Sequence, residues 1–418
     1  MMKPAKNIPE LRFPEFDGEW IERRLAQITS RIGDGLHGTP EYVEESNCFF
    51  INGNNLVDGR ITISEQTKKV STTSLEINQK GLNGETLLIS INGTIGSLAR
   101  YNQENVMLGK SVGYLIFHRG SEYYFQYLST AKIQRHFVNE LTGTTIKNLS
   151  LKTLRETVVL IPSLPEQQKI ATFLSAVDQR IQRLAQKKEK LELYKKGIMQ
   201  QIFCQQLRFK DENGQEYQEW EELTLDEIRD KNIRWSFTGG PFGSDLKSEE
   251  YTQDGVRIIQ LQNIGDGRFI NDYKIFTSEE KANNLLSSNI FPGDILISKM
   301  GDPVARACIV PFERERYLMA SDGIRLVPDN TIHDTYFIFL LINHRAFRQK
   351  AIALSTGSTR RRIGLNELRE IQVQLPSLSE QQKIASFLSS IDQKISLVNQ
   401  QIELTRKWKQ GLLQKMFV

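Results

Sequence analysis

The segment that decides the fold occurs twice, as PSLPEQQKIA at residues 162–171 and as PSLSEQQKIA at residues 376–385. The two copies are offset by 214 residues, and the similarity continues beyond them, because the FLS of residues 173–175 returns at residues 387–389. Self-similarity at a fixed offset is the mark of an internal repeat. The chain is therefore predicted to contain two related halves.

Each copy predicts the start of one long helix. Ser163 and Ser377 stand three residues before a glutamate (Glu166 and Glu380), in the S-x-x-E pattern of a capping box. Pro165 falls in the first turn, where a missing N–H costs little. Apolar side chains then recur at spacings of three and four, which is typical of a coiled-coil seam. The first seam comprises Ile170, Leu174, Val177, Ile181, Leu184, Leu191, Ile198 and Ile202, and the second comprises Ile384, Leu388, Ile391, Ile395, Val398, Ile402, Leu412 and Met416.

Two arrangements of these helices are open from the sequence. Each helix could pack on its own domain, but a narrow stripe that is longer than a globular helix and the same in both copies favours pairing of the two helices. The stripe is interrupted at Lys188, Lys195, Thr405 and Lys409. About 38 residues at a rise of 1.5 Å give a rod of roughly 55 Å. That length exceeds the ~34–36 Å of one turn of B-DNA, so the rod is long enough to hold two modules at a fixed spacing along a duplex.

The segments that precede the helices are related but diverged. Leu11-Arg12-Phe13 corresponds to Leu207-Arg208-Phe209, and the TGTT of residues 142–145 corresponds to the TGST of residues 356–359. Short β-rich runs recur at residues 86–91, 112–117, 295–297 and 324–327, and helical stretches follow at residues 123–141 and 335–354. Each half is therefore predicted to be one α+β domain. The predicted boundaries are 1–162 and 206–376 for the domains, and 163–205 and 377–418 for the helices.

The order domain–helix–domain–helix, with its paired E-Q-Q-K-I-A helix starts, resembles the specificity subunits of Type I restriction-modification enzymes over the whole chain. The resemblance implies that residues 1–162 and 206–376 are target-recognition domains, and that the two helices pack antiparallel as a coiled coil with pseudo-two-fold symmetry. It also implies that each domain reads one half of a split, asymmetric DNA sequence. The helices would set the unspecified spacer between the halves.

The same resemblance implies a set of partners. These are double-stranded DNA, two methyltransferase subunits and the restriction subunits of a host-defence system. No cofactor is expected on this chain, because S-adenosylmethionine would bind the methyltransferase subunit, and ATP and Mg would bind the restriction subunit. A non-catalytic chain agrees with the sequence, which has no N-P-P-Y loop, no F-x-G-x-G, no Walker motif and no H-E-x-x-H. Its histidines (His37, His118, His136, His333 and His344) do not cluster in the sequence.

Charge and composition limit the class of protein. The net charge of +4 is small, and the two helical segments carry +7 while the rest of the chain carries about −3. DNA binding would therefore need local basic patches and the help of a partner.

No apolar run approaches the roughly 18 residues of a membrane span, and the first residues do not form a signal peptide. Three distant cysteines fit neither a disulfide framework nor a metal site. We expect a cytoplasmic protein without membrane association.

Candidate DNA contacts lie in polar and basic loops. Residues 33–38 match G-x-G-x-x-G, but Thr39-Pro40 follows at once and no βαβ unit is predicted, so we interpret them as a loop that faces DNA. Residues 109–111 fail as a phosphate-binding loop, because that motif needs a glycine at position 104 and the residue there is Glu104.

Residues 360–362 form the densest basic run outside the helices. Arginine binds guanine and phosphate, although a solvated charge run is the alternative. Asn and Gln suit adenine edges but are equally common in turns. The candidate contacts are His37, Thr39, Asn54, Asn55, Lys110, Thr144, Lys147, Asn148, Thr238, Ser244, Gln260, Gln262, Asn263, Thr356, Ser358, Arg360, Arg361 and Arg362.

Two further functions are open from the sequence. One is a specificity subunit of a Type IIB system, which cuts on both sides of its site and differs from Type I in the domain layout of its partners. The other is an interaction scaffold with two diverged ligand-binding modules on a helical spacer. Such a scaffold would bind protein or glycan with no preference for nucleic acid.

Overall fold

The computed structural model describes residues 7–141, 147–357 and 360–418. The chain forms two compact units: unit 1 comprises Met1–Lys187 and Val398–Val418, and unit 2 comprises Lys188–Leu397. Two of the predicted DNA contacts, Thr144 and Ser358, lie outside the described residues. None of the helices in the described ranges has the length and apolar character needed to cross a membrane.

Unit 1 is a mixed α+β unit. Its strands are β1 Ile21–Arg24, β2 Thr29–Asp34, β3 Tyr42–Val43, β4 Cys48–Ile51, β5 Leu56–Val57, β6 Arg60–Ile61, β7 Lys69–Val70, β8 Thr86–Ser90, β9 Leu98–Arg100, β10 Val106–Leu108, β11 Val112–Phe117 and β12 Val158–Ile161. Its helices are α1 Leu25–Ile28, α2 Thr72–Ile77, α3 Ser121–Leu128, α4 Ala131–Asn139, α5 Leu151–Glu156 and the first part of α6 Leu164–Phe203. The sheet orders are β2-β11-β8-β9 and β10-β4-β7-β3, and the ribbons β1-β12 and β5-β6 complete the unit.

Unit 2 repeats this plan. Its strands are β13 Glu221–Thr224, β14 Phe237–Gly239, β15 Tyr251–Thr252, β16 Val256–Ile259, β17 Ile275–Thr277, β18 Asn289–Ile290, β19 Ile295–Ser298, β20 Ala307–Ile309, β21 Tyr317–Met319, β22 Gly323–Leu326 and β23 Gln372–Leu375. Its helices are α7 Leu225–Ile228, α8 Glu279–Asn284, α9 Thr335–Asn343, α10 Arg345–Ala353, α11 Leu365–Arg369 and the first part of α12 Leu378–Met416. The sheet order β14-β22-β19-β20 matches β2-β11-β8-β9, and the ribbon β13-β23 matches β1-β12. The predicted repeat of two α+β domains is confirmed.

The predicted strands form because their sequences are mostly apolar. Every residue of β8, β11, β19 and β22 is buried, which is the environment that such runs favour. The predicted helical stretches are each broken into two. In unit 1 the break falls at Thr130, whose side chain accepts a hydrogen bond from the Ile133 N–H and caps α4. In unit 2 it falls at His344, whose side chain accepts from the Ala346 N–H.

The long helices belong to both units, and the two predicted arrangements coexist. The core of unit 1 contains Ile170, Leu174 and Val177 from the start of α6, together with Leu412 and Met416 from the end of α12. The core of unit 2 contains the equivalent set, Ile384, Leu388, Ile391 and Ile202. The residues predicted only to pair helices therefore also pack on an α+β domain: those at the start of each helix on the domain that precedes it in the chain, and those at its end on the other domain. In the middle of the seam, Val398 and Ile402 are buried, while Ile181, Leu184, Leu191 and Ile395 are half-buried.

The helices begin where the sequence predicts, but the glutamates of the predicted capping boxes have other partners. Glu166 is 1% exposed, and its carboxylate accepts hydrogen bonds from Nε and Nη2 of Arg12 at 2.8 and 2.7 Å. Glu380 is equally buried and accepts from Nε and Nη2 of Arg208 at 3.3 and 2.8 Å. A buried carboxylate needs a charged, hydrogen-bonded partner. The Leu-Arg-Phe segments therefore supply one arginine to each helix start.

Candidate nucleic-acid interface

One group of loops in unit 1, which we call loop cluster 1, brings together several of the predicted DNA contacts. It consists of residues 34–39, 52–55, 91–94, 109–111 and 147–149. Backbone hydrogen bonds join its loops to one another and to the strands beside them: Leu36 N–H to Leu108 O (2.7 Å), Gly109 N–H to Ile51 O (2.8 Å), Ile91 N–H to Ser111 O (2.9 Å) and Leu149 N–H to Ile91 O (2.9 Å). The cluster is therefore a continuous surface at the ends of β2, β4 and β8.

Unit 2 has the equivalent surface, which we call loop cluster 2. It consists of residues 240–244, 260–263, 299–301, 320–323 and the described parts of 356–363. Its connecting bonds are Gly240 N–H to Gly323 O (2.9 Å), Ala320 N–H to Ile259 O (2.9 Å), Lys299 N–H to Asp322 O (2.7 Å), Gly301 N–H to Arg361 O (3.1 Å) and Ile363 N–H to Lys299 O (2.9 Å). The glycine-rich segment of residues 236–244 lies at the place that the repeat predicts for it.

Two glycines allow the first loop of each cluster to lie close to its neighbour. A Cβ on Gly35 would stand 2.2 Å from the carbonyl oxygen of Leu108, and one on Gly240 would stand 2.0 Å from that of Ala320. Both neighbours are backbone atoms, so no side-chain movement would relieve the contact. Gly35 of the G-x-G pattern and Gly240 therefore allow close packing of backbone at the sheet edge.

The structure corrects the interpretation of Asn55 and Asn263 as base-reading residues. In each, Oδ1 accepts from the backbone N–H three residues earlier, at 2.9 Å for Asn55 and 3.0 Å for Asn263. Their Nδ2 groups donate to the carbonyls of Thr62 and Ile270, both at 2.9 Å. Asn263 is also 0% exposed. Both amides hold the turn after a strand, and the fully buried amide of Asn263 is not available to DNA.

The residues just before them in the chain are exposed. Asn54 and Gln262 precede the buried amides, at equivalent places in the two units, and both side chains face solvent. Gln260 is half-buried, and its Nε2 donates to the hydroxyl of Tyr251 at 3.2 Å. Of the amide candidates in these turns, Asn54 and Gln262 are the ones whose hydrogen-bonding groups are presented outward.

The basic candidates differ in whether their side chains have a partner within the loop clusters. Arg360 and Arg361 are exposed in loop cluster 2. Arg362 is also exposed, but it forms an ion pair with Asp322, with Nη2 2.5 Å from Oδ1, and its backbone exchanges two hydrogen bonds with Thr356. Arg362 and Thr356 thus hold the basic loop in place. In unit 1, Lys110 and Lys147 are exposed in loop cluster 1.

The other candidates have mixed environments. His37 and Thr39 are exposed in loop cluster 1, and Nε2 of His37 lies 2.6 Å from Oδ2 of Asp34. Ser244 is exposed in loop cluster 2, whereas Thr238 is half-buried within β14. Asn148 is half-buried and its backbone bridges to Asn92.

Sequence reasoning missed two residues of loop cluster 2. Phe242 is 82% exposed in the glycine-rich loop, beside a cleft of about 210 Å³ that Tyr251, Gln260 and Asp322 also line. Lys299 is half-exposed, and its backbone bonds both to Asp322 and to Ile363. The signal for Phe242 is a large apolar residue flanked by Pro and Gly. Lys299 lies between Ser298 and Gly301, two positions that the repeat preserves as Ser90 and Gly93.

Each loop cluster presents a surface of hydrogen-bonding side-chain groups. It offers guanidinium, ammonium, amide and hydroxyl groups, which bind phosphate and base edges. Within the described parts of the chain, no three His, Cys, Asp or Glu side chains gather in an arrangement that could hold a metal ion.

Comparison with known proteins agrees with this architecture. The family described as "Type I restriction modification DNA specificity domain" matches residues 41–193 and 217–406. The MjaVIII specificity subunit of Methanocaldococcus jannaschii is 26% identical over 292 residues, which cover 68% of this chain and 66% of that protein. The EcoBI specificity subunit of Escherichia coli is 24% identical over 299 residues, or 66% of this chain and 61% of that protein. The matched segment thus spans slightly less than two thirds of each of these relatives.

Solved structures share the fold. The S subunit of a Type I restriction-modification system from M. genitalium has a TM-score of 0.59 and 19% identity, with 98% of this chain and 99% of that chain covered. A chain from a structure of Type I system assembly and conformational transition has a TM-score of 0.54 and 16% identity, with 95% and 97% covered.

Proposed function

Because the chain belongs to the family of Type I restriction-modification DNA specificity subunits, we propose that it reads a bipartite DNA target, with loop cluster 1 on one half-site and loop cluster 2 on the other. The observation that carries this proposal is the duplication of one loop surface on two units with different exposed residues. Unit 1 presents His37, Asn54 and Lys147 where unit 2 presents Phe242, Gln262 and Arg361. Two like surfaces with unlike chemistry suit two different half-sites.

The exposed side chains divide by the part of DNA they suit. Arg360, Arg361 and Lys299 supply positive charge for phosphates, and arginine also reads guanine with two hydrogen bonds. Asn54 and Gln262 carry amides that match the adenine edge in the major groove. Phe242 supplies an apolar contact of the kind that meets a thymine methyl group.

The two long helices are proposed to set the spacing between the half-sites. At a rise of 1.5 Å per residue, 40 residues of helix extend about 60 Å, which is more than one turn of B-DNA. A helix of that length is stiff enough to fix a distance only when another element supports it. The shared cores of units 1 and 2 give each helix that support at both ends.

We propose that the chemistry takes place on partner subunits. Two methyltransferase subunits would bind S-adenosylmethionine and methylate adenine, and restriction subunits would use ATP and Mg to move and cut DNA. This chain would recruit them without a catalytic centre of its own. The proposal includes a cytoplasmic location, because that is where the DNA target and these cofactors meet.

The test is modification mapping. The chain is expressed with its methyltransferase partner in a host that lacks adenine methylation, and methylated adenines are located across the genome. We expect one bipartite, asymmetric sequence with a constant spacer. Methylation at no particular sequence would overturn the proposal, and cleavage on both sides of the site by the assembled complex would indicate a Type IIB system.

A matched pair of variants identifies the reading surface. Arg361→Ala removes an exposed arginine of loop cluster 2 and is expected to reduce methylation at the whole target. Arg234→Ala removes an exposed arginine before β14, at the other end of the same sheet, and is expected to leave methylation unchanged. Equal effects of the two substitutions would show that loop cluster 2 is not the DNA-facing surface.

A further inference from the structure

A buried arginine in unit 2 has an uncharged counterpart in unit 1. Arg348 on α10 and Gln134 on α4 each lie four residues after the residue that caps the helix. Each side chain also donates to the carbonyl oxygen six residues before it. Nε of Arg348 donates to Ile342 at 3.1 Å, and Nε2 of Gln134 donates to Leu128 at 2.8 Å. The repeat therefore places an amide in unit 1 where unit 2 has a guanidinium group.

The guanidinium group of Arg348 is held by an aspartate. Arg348 is 6% exposed. Its Nη2 donates to Oδ1 of Asp266 at 2.6 Å and also to Oδ1 of Asn343, and its Nη1 donates to the carbonyl oxygen of Val304 at 3.3 Å. A buried charge needs a charged, hydrogen-bonded partner, and Asp266 supplies the opposite charge.

Unit 1 keeps the aspartate and lacks the arginine. Asp58 corresponds to Asp266, because the pattern N-x-x-D-G at residues 55–59 returns at residues 263–267. Asp58 and Gly59 form the two-residue turn of the β5-β6 hairpin, with φ of 50° and 78°, and positive φ at both positions is typical of a type I′ turn. Among the residues that the structure describes, none forms an ion pair or hydrogen bond with the side chain of Asp58.

A cavity of about 230 Å³ lies beside Asp58. That volume is several times the ~30 Å³ that a water molecule occupies in the liquid, so it admits a planar group of several heavy atoms. Gln134 and Ser129 stand here in place of the larger Arg348 and Asn343, and the cavity is the space that these smaller side chains leave. Its polar walls are Asp58, Ser129 and Gln134, and its apolar walls include Leu56, Leu98 and Phe125.

The neutral polar groups of the cavity can only accept hydrogen bonds. Both hydrogens of Gln134 Nε2 are used, in bonds to the carbonyl oxygens of Leu128 and Gly96 at 2.8 and 3.2 Å. Gln134 can therefore offer a ligand only its amide oxygen. The hydroxyl of Ser129 donates to the carbonyl oxygen of Phe125 at 2.7 Å, which leaves its oxygen as an acceptor.

The charge of the cavity comes from Asp58. Arg100 lies near the same turn, but its guanidinium group is bound to Glu122 and Asp178. A carboxylate beside neutral acceptor oxygens repels a phosphate and attracts a cation that carries N–H donors. A guanidinium group is planar, and its fork of donors matches the geometry of a carboxylate. It is also the group that Asp266 binds in unit 2.

We propose that this cavity binds a guanidinium group, with Asp58 as its counter-ion and with Gln134 and Ser129 as neutral acceptors. The ligand is either an arginine side chain of a partner protein or a free guanidinium compound, since both have the same recognition chemistry. The site goes beyond DNA reading, because none of the residues that line it belongs to loop cluster 1. Unit 2 fills the equivalent place with its own Arg348.

The test uses the full chain without DNA, so its outcome does not depend on the proposed function. The probe is methylguanidinium, and saturation-transfer NMR follows its binding as its concentration is raised. N-methylurea has the same planar shape without the charge, and methylammonium has the charge without the fork. Both are expected to bind about tenfold or more weakly than methylguanidinium. Equal binding of the three probes, or no saturable binding of methylguanidinium, would overturn the proposal.

Variants place the probe in the cavity. Asp58→Asn removes the charge, suits the same turn because asparagine is favoured there, and is expected to weaken binding about tenfold or more. Gln134→Arg fills the cavity from within the chain, as Arg348 does in unit 2, and is expected to abolish binding. Glu65→Gln removes an exposed carboxylate elsewhere in unit 1 and is expected to leave binding unchanged. Undiminished binding in either of the first two variants, or an equal loss in Glu65→Gln, would contradict the assignment.

Two longer ligands distinguish the sources of the guanidinium group. N-acetylarginine amide resembles an arginine within a protein, and L-arginine carries a free carboxylate and ammonium. If the blocked residue binds at least as tightly as L-arginine, the site suits the side chain of a partner protein, and tighter binding of L-arginine indicates a free compound. If neither binds where methylguanidinium does, the proposal fails, because the site must admit the chain that carries the guanidinium group.

Discussion

The ion pair between Arg12 and Glu166 gives a sharp prediction of stability. Arg12→Ala removes both donors from a carboxylate that is 1% exposed, at the start of α6. The guanidinium also donates to the carbonyls of Asp17 and Gly18 at 2.8 and 2.6 Å, so these bonds are lost too. A buried charge left without its partner costs about 3–5 kcal/mol. Unit 1 is large enough that each kcal/mol lowers Tm by about 2–4 °C, so the expected decrease is about 6–20 °C.

The assay is scanning calorimetry of the full chain, with urea unfolding followed by tryptophan fluorescence. Trp20 lies in the core of unit 1 and reports on its unfolding. Adding Glu166→Gln to the Arg12→Ala variant removes the stranded charge and is expected to recover most of the loss. Arg208→Ala in unit 2 is the matched comparison, with a longer Nε contact and a somewhat smaller expected loss. If Arg12→Ala lowers the free energy of unfolding by less than about 1 kcal/mol, which is the range of solvent-exposed ion pairs, this reasoning is refuted.

Three further predictions follow from the site and from unit 2. Asn263→Ala leaves the Gln260 N–H and two carbonyls without a partner in a buried turn, so it is expected to lower the free energy of unfolding by about 1–3 kcal/mol, measured by urea unfolding. Gln262→Ala on the exposed face is the control and is expected to change the free energy of unfolding by less than about 0.5 kcal/mol. Burial lowers the pKa of His333 and of His344 from their usual 6.5, so the unfolded chain takes up protons first as the pH falls. The contribution of these two histidines to the stability of unit 2 is therefore complete above pH 6.5 and declines as the pH falls below it. Thermal unfolding measured between pH 5 and 8 is expected to show a smaller decline for a variant that carries both His333→Gln and His344→Gln. Arg361→Ala is expected to reduce the slope of log affinity against log salt by about one, measured with the assembled complex on target DNA, and an unchanged slope would mean that Arg361 does not meet a phosphate.

The sequence predicts the repeat, the strands and the helix starts because each rests on a local pattern. The apolar run at residues 112–117 and the mostly apolar run at residues 324–327 predict buried strands from local composition. The duplicated E-Q-Q-K-I-A segments place the starts of α6 and α12 to within a residue. These features depend on periodicity and composition, which a single sequence contains.

The features that the sequence does not predict are long-range pairings. The partner of Glu166 is 154 residues away, and that of Asp178 is 231 residues away. A local rule assigns Glu166 to the capping of its own helix, whereas the fold brings an arginine to it. The same limit applies to Asn263, for which the sequence predicts a base contact: its role depends on carbonyls beyond the turn that only the fold places within reach.

The break of each long helical stretch has a different origin. Thr130 and His344 cap the second helix of each pair with a side-chain acceptor. Apolar composition alone does not show either break, because buried apolar residues stand on both sides of it, in α3 and α4 and in α9 and α10. Capping residues within a periodic run are therefore the signal that separates one long helix from two short ones.

Replacement of one recognition segment tests the central claim most directly. Residues 206–376 are exchanged for the corresponding segment of another family member with a known target, and the methylated sequence is mapped with the same methyltransferase partner. If the two units read separate half-sites at a distance fixed by α6 and α12, one half of the target changes while the other half and the spacer length stay the same. A target that changes in both halves, or in neither, would contradict the account.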